Sequence, residues 1–188
     1  KFSTAAARLD QVKAPNPVGV TLTPSHPGRW VWETDKLLAF KPSADWPPGA
    51  EFTVTLDPSQ LAKEVKLKDK PSYTFHISAL TQKWSNLEFY TNPKASEEHE
   101  ITAELSFTHP MALSEVEKHI NLRTIGGSNV FKAGANLFTI KEDKDSAQRR
   151  FYLRSAKIDL PDKEDFVALT FTKGASSTLG GSATSSDV

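Results

Sequence analysis

The fold is decided by residues 28–56, whose sequence is GRWVWETDKLLAFKPSADWPPGAEFTVTL. Trp30 and Trp32 are two positions apart, so they share one face of an extended strand. A Thr-Asp-Lys turn follows, and Leu38 and Phe40 then share a face of the next strand. This spacing predicts a pair of strands that carry large aromatic side chains on one side.

The end of the same stretch predicts a third strand. Residues 42–49 contain too much proline for a helix or a central strand. Phe52, Val54 and Leu56 then alternate with polar residues, as in a strand with one buried face. The whole stretch is therefore typical of a β-sandwich rather than of a catalytic device.

Composition excludes several classes of protein. The 188 residues carry 23 basic and 23 acidic side chains, so the formal net charge is zero and no electrostatic footprint for nucleic acid or an anionic membrane is visible. The absence of cysteine excludes disulfides, thiolate metal sites and cysteine nucleophiles in this chain. No apolar run approaches the roughly 18 residues of a membrane span.

The beginning of the chain resembles the interior of a domain. Lys1 is not an initiator methionine, and no signal peptide follows it. We therefore expect the chain to be a fragment of a longer protein, whose functional apparatus lies partly elsewhere.

Short strands with turn signals about every 8–12 residues predict an all-β chain of two tandem antiparallel β-sandwich domains, macroglobulin-like or Ig-like. The segment from Phe107 to Val116 resembles the one from Phe2 to Val12, which supports a repeated unit. The predicted domains are residues 1–80 and 81–174. Residues 175–188 are mostly Ser, Gly, Ala and Thr, and their composition predicts a flexible linker or tail.

A search for chemistry finds none. None of the five histidines has another at the spacing that places two imidazoles on one metal, so ordinary surface or core positions are predicted. Residues 143–146 are only weakly similar to the start of a calcium loop, because they lack its glycine and its bidentate glutamate. Asp162, Glu164 and Asp165 form a second acidic patch, and solvated loops are predicted for both. We expect no catalytic residue, no metal and no cofactor, and hence no enzyme.

The tryptophans allow two interpretations. Trp30, Trp32 and Trp46 either fill the sandwich core or form an exposed platform for a sugar or another domain. Trp46 precedes Pro-Pro-Gly, a setting in which a ring covers one end of a sandwich, so it is expected to be the most exposed. The predicted interaction surface is therefore Trp46, Trp30 and Trp32.

One set of motifs resembles the N-terminal region of bacterial α2-macroglobulins. The motifs are Val20-x-Leu22-x-Pro24, Gly28-x-Trp30-x-Trp32, Leu38-x-Phe40-x-Pro42, Asp45-Trp46-Pro47-x-Gly49, Phe52-x-Val54-x-Leu56 and Phe75. Phe2-Ser3 and Phe107-Thr108-x-Pro110 resemble the recurring strand ends of that region. The resemblance covers about the first 125 residues well and the remainder loosely.

The resemblance implies a string of macroglobulin-like domains in the periplasm or at the inner membrane. Such proteins trap proteases after cleavage of a bait region, in many cases through a Cys-Glu thioester, and are expected beside peptidoglycan-synthesis proteins. This chain has no cysteine and no identifiable bait, so no capture residue is carried over. Its implied role is scaffold or docking module, with proteases engaged by the full-length protein.

A second interpretation belongs to a different class. Generic Ig-like modules of bacterial surface or cell-wall proteins share the same Trp/Phe-x-Pro/Gly pattern. Under that alternative the chain is a tandem adhesive module, and its tryptophans bind carbohydrate.

Overall fold

A computed structural model describes residues 1–14, 17–63, 65–67, 71–132, 134 and 136–188, and these residues form two compact units. Unit 1 is Lys1–Ile77 and unit 2 is Ser78–Val188. The division falls three residues before the predicted boundary at residue 80. No helix among the described residues is long and apolar enough to cross a membrane.

The described residues of unit 1 form five strands in two antiparallel sheets. The strands are β1 (Val20–Thr23), β2 (Gly28–Thr34), β3 (Leu37–Pro42), β4 (Glu51–Leu56) and β5 (Ser72–His76). One sheet has the order β1-β4-β5 and the other consists of β2 and β3. The alternating residues of the opening stretch thus form the three strands β2, β3 and β4, as predicted.

The described part of unit 2 forms six strands and one short α-helix. They are β6 (Gln82–Asn92), β7 (Ala95–Phe107), α1 (Leu113–His119), β8 (Ile120–Thr124), β9 (Phe138–Glu142), β10 (Arg150–Ser155) and β11 (Val167–Phe171). The sheets are β6-β7-β10-β9 and β11-β8, and every pair between strands is antiparallel. The predicted all-β, antiparallel fold is confirmed.

The core of unit 2 follows from alternation along its strands. Ile101, Ala103, Leu105 and Phe107 are all buried, as expected for one face of β7. The ring centroids of Phe107 and Phe171 are 5.2 Å apart, and the two rings make an edge-to-face contact.

Residues 175–188 differ from the predicted flexible tail. Ala175 is fully buried, and its carbonyl accepts a hydrogen bond from Thr184 N at 2.9 Å. The Ser177 hydroxyl donates to the carbonyl of Pro110 at 2.8 Å. The prediction weighed only apolar area, whereas small side chains here let the backbone approach closely enough to bond with the rest of unit 2.

Candidate interaction surface

The three tryptophans of the predicted surface lie at different depths in unit 1. Trp32 is only 2% exposed and packs beside Ala6, Ala7 and Leu61. The structure therefore places Trp32 in the core and corrects its assignment to an interaction surface. The physical reason is that the N-terminal segment covers the part of the β2 face on which Trp32 lies.

Trp46 connects the two sheets of unit 1. Its ring lies 5.6 Å from Phe40 of β3 and 4.7 Å from Phe52 of β4, measured between centroids. His26 stacks on it at 4.1 Å, while the His26 Nε2 lies 3.0 Å from the carbonyl of Ala44. Trp46 is thus half-buried with one ring face covered, which leaves little platform for a sugar.

Trp30 lies at the edge of an open groove between the sheets. The strand register pairs Trp30 with Phe40, and their rings are 5.1 Å apart. The groove has a volume of about 520 Å³ and is lined by Trp30, Leu38, Val54 and Tyr73, among others. Of the three predicted residues, only Trp30 lines this cavity.

Tyr73 is a surface residue that the sequence pattern misses. Strand alternation places Tyr73 on the same face of β5 as Phe75, since Tyr73 lies opposite Val54 just as Phe75 lies opposite Phe52. Its side chain is nevertheless 57% exposed, because the groove is open at this end of β5. The residue type is the signal that could have indicated this exposure. The hydroxyl group of a tyrosine can remain in water, whereas a phenylalanine has no polar group to hydrate.

Among the described residues, the charged side chains that line the groove are basic. Lys1 and Lys66 line it beside the apolar side chains of Phe2, Val65 and Leu67. An apolar cleft with cations at its border favours a ligand that combines an apolar side chain with acidic neighbours.

Among the described residues no cluster of three His, Cys, Asp or Glu side chains fits a metal ion.

In unit 2, Asp165 caps a turn of the backbone. The Asp165 carboxylate accepts hydrogen bonds from the backbone N–H groups of Gly126, Ser128 and Phe166. The hydrogen bonds from Ser128, followed by that from Gly126, lower the pKa of Asp165 to about 2. This carboxylate therefore holds the turn at residues 126–128 rather than an ion.

Asp165→Asn is expected to destabilise unit 2 at neutral pH. The folded pKa of Asp165 is about 2, below the ordinary 3.8, so its stabilising effect is complete above pH 3.8 and disappears as the pH falls through 2. Urea unfolding of wild type and variant should therefore converge at low pH. The control is Asp162→Asn, at an exposed position. If Asp165→Asn lowers the free energy of unfolding by the same amount at pH 7 and at pH 2, this account is wrong.

Comparison with known proteins gives two relatives of the same kind. The chain is 26% identical to an alpha-2-macroglobulin homolog of Yersinia pestis over 167 residues, which are 88% of this chain and 8% of that protein. It is 29% identical to an alpha-2-macroglobulin of Pasteurella multocida strain Pm70 over 130 residues, 68% of this chain and 7% of that protein. The chain thus spans less than a tenth of either relative. No protein-family model and no solved structure matches it.

Proposed function

The chain is related to the bacterial alpha-2-macroglobulins, and we propose that it is a scaffold and docking portion of a protease inhibitor of that kind. The observation that carries the proposal is the pair of matches, which together extend over most of both units. In this proposal a longer protein traps proteases in the bacterial envelope. The 188 residues themselves catalyse nothing.

The composition of the chain indicates which functions we assign to other parts of the longer protein. A thioester needs a cysteine, and none occurs among the 188 residues. Covalent capture of a protease, if the longer protein performs it, is therefore assigned to other parts of that protein. What these residues supply is rigid β structure and surface.

The surface proposed for docking is the groove of unit 1. Trp30 and Tyr73 provide aromatic area, and aromatic side chains at partly open clefts are frequent anchors in protein interfaces. Lys1 and Lys66 favour an acidic partner segment. We assign as occupant a segment of a periplasmic or inner-membrane envelope protein, with an apolar residue between acidic ones; proteins of peptidoglycan synthesis are the candidates.

The test is capture from fractionated bacteria by the immobilised chain. A specific partner should be recovered from the envelope fraction and not from the cytosolic fraction. Because charge contributes to the interface, recovery should fall when the salt concentration is raised from 50 to 500 mM. Saturable quenching of tryptophan fluorescence by cell-wall polysaccharide, without protein capture, would instead support the carbohydrate-binding alternative.

Tyr73→Ser is expected to weaken partner binding at least about fivefold, since interface tyrosines often contribute more than 1 kcal/mol. Its ring is 57% exposed, so the free energy of unfolding should change by less than about 1 kcal/mol. The matched control is Tyr90→Ser, which removes a 37% exposed tyrosine from unit 2. Dissociation constants of the purified pair measure the effect, and equal affinities of the Tyr73 and Tyr90 variants would exclude this groove.

A further inference from the structure

The last residues of the chain form the first rung of a new ladder on β11. Phe171 N donates to Val188 O at 2.8 Å, and Val188 N donates to Phe171 O at 3.0 Å. This reciprocal pair is the hydrogen-bonded pair of an antiparallel ladder. Side chains of β6 hold the same segment, because Gln82 Nε2 donates to Ser186 O at 2.6 Å and Trp84 Nε1 donates to Val188 O at 3.3 Å.

The ladder has one rung because Val188 is the last residue of the 188, whereas β11 continues beyond that rung towards Val167. The backbone groups of Phe166 and Thr172 form hydrogen bonds on the side of β8. Ile125 N donates to Phe166 O at 2.9 Å, and Thr172 N donates to His119 O at 2.8 Å. Alternation then directs the N–H and C=O groups of Val167 and Leu169 away from β8, on the side that Phe171 offers to Val188. Among the described residues these outward groups have no hydrogen-bond partner.

An apolar groove lies along this open edge. It has a volume of about 430 Å³ and is lined by Leu87 and Phe89 of β6 and by Val167 and Leu169 of β11. Leu87 is 62% exposed and Phe89 is 55% exposed. Exposed apolar side chains concentrated beside an unpaired strand edge mark a place where another strand adds.

Both walls of the groove lead away from Val188 in the same direction. A strand that continues from the Phe171–Val188 rung passes Leu169 and then Val167, because the pairing is antiparallel. Along β6 the same path runs from Trp84, which holds Val188, towards Leu87 and Phe89. The hydrogen-bond register and the groove therefore indicate one path.

We propose that the outer edge of β11 and this groove are the docking place of one added β-strand. Its occupant is the segment that directly follows Val188 in a longer protein containing this chain. In that register the second and fourth residues after Val188 lie opposite Leu169 and Val167 and bury their side chains in the groove. These two positions are therefore apolar, while the first and third positions are polar.

A connected segment is favoured over a separate peptide for a physical reason. Val188 already places the next residues at the edge, so the added strand pays no translational entropy of association. The relatives are more than ten times as long as the matched region, so chain beyond this region is present in them. This inference does not depend on the proposed inhibitor function.

The test extends the 188-residue chain by five residues. Adding TVTVT places valine at the second and fourth positions, and the control VTVTT has the same composition with the valines shifted by one. Hydrogen exchange of the Val167 and Leu169 amides should slow about fivefold with TVTVT, as expected for one added hydrogen bond. With VTVTT the two rates should stay within about twofold of those of the unextended chain.

Three results would overturn the proposal. One is equal protection by both extensions, because the register would then play no part. Another is unchanged exchange with TVTVT. A third is protection of the unextended chain by a separate TVTVT peptide at micromolar concentration, or by raising the protein concentration, because the occupant would then be a second molecule. Phe89→Ser in the TVTVT chain should restore fast exchange, because it removes an apolar side chain that lines the groove, and unchanged slow exchange would exclude the groove as part of the docking place.

Discussion

Replacing Trp32 by alanine is expected to lower the free energy of unfolding of unit 1 by about 3–5 kcal/mol. The side chain is 2% exposed, and its ring centroid lies 5.3 Å from that of Phe2. Its neighbours Ala6 and Ala7 are small and buried, so they have no long side chains with which to fill the space. The variant therefore loses both the transfer free energy of the indole and the contacts across the cavity.

Trp30→Ala is the matched control for Trp32→Ala, because it removes the same side chain from the same strand. Trp30 is half-buried beside an open groove, so solvent can enter the space that its ring leaves. Its loss should be clearly smaller in urea unfolding monitored by circular dichroism. A loss below about 1 kcal/mol for Trp32→Ala, or equal losses for both variants, would show that Trp32 is misplaced.

The two variants also show how far a sequence can predict this site. Spacing places Trp30 and Trp32 on one face of β2, and the register with Phe40 and Leu38 bears this out. Spacing carries no information on what covers that face. The N-terminal segment covers Trp32, and only this tertiary contact separates the core tryptophan from the groove tryptophan.

Where strands alternate strictly, sequence analysis predicts the fold well. Residues 51–56 and 101–107 alternate, and each forms a strand with the expected buried face. The reason is that period-two burial is a property of the strand itself and needs no knowledge of the partner strand.

Where packing depends on backbone contacts, sequence analysis fails. Residues 175–188 have almost no apolar pattern, yet Ala175, Ser177 and Thr184 are buried. Their positions depend on carbonyl partners such as that of Pro110, which lies far away in sequence. These hydrogen bonds leave no periodic pattern in the sequence, because the sequence does not distinguish a serine in a solvated loop from a serine that donates to a buried carbonyl. The rung at Val188 escapes prediction for the same reason.

Phe151→Ala is expected to cost unit 2 about 3–5 kcal/mol of unfolding free energy. Phe151 is fully buried on β10, the strand between β7 and β9, and its ring lies 5.8 Å from that of Phe107. Because Phe107 also contacts Phe171 of the other sheet, the cavity opens where the two sheets of the unit meet. Strands on both sides hold β10 in place, so the site cannot collapse without breaking ladder hydrogen bonds.

Tyr152→Ala separates this packing effect from any general sensitivity of β10. Tyr152 is the next residue, points to the opposite face and is 45% exposed, so its replacement should cost less than about 1 kcal/mol. The comparison is made by urea unfolding at pH 7, a condition under which both variants keep the hydrogen bonds of the β10 backbone. If the two replacements cost the same, the alternation assigned to β10 does not determine its burial, and the core built from Phe107, Phe151 and Phe171 loses its support. If the difference exceeds about 2 kcal/mol, Phe151 belongs to the core of unit 2 and Tyr152 does not.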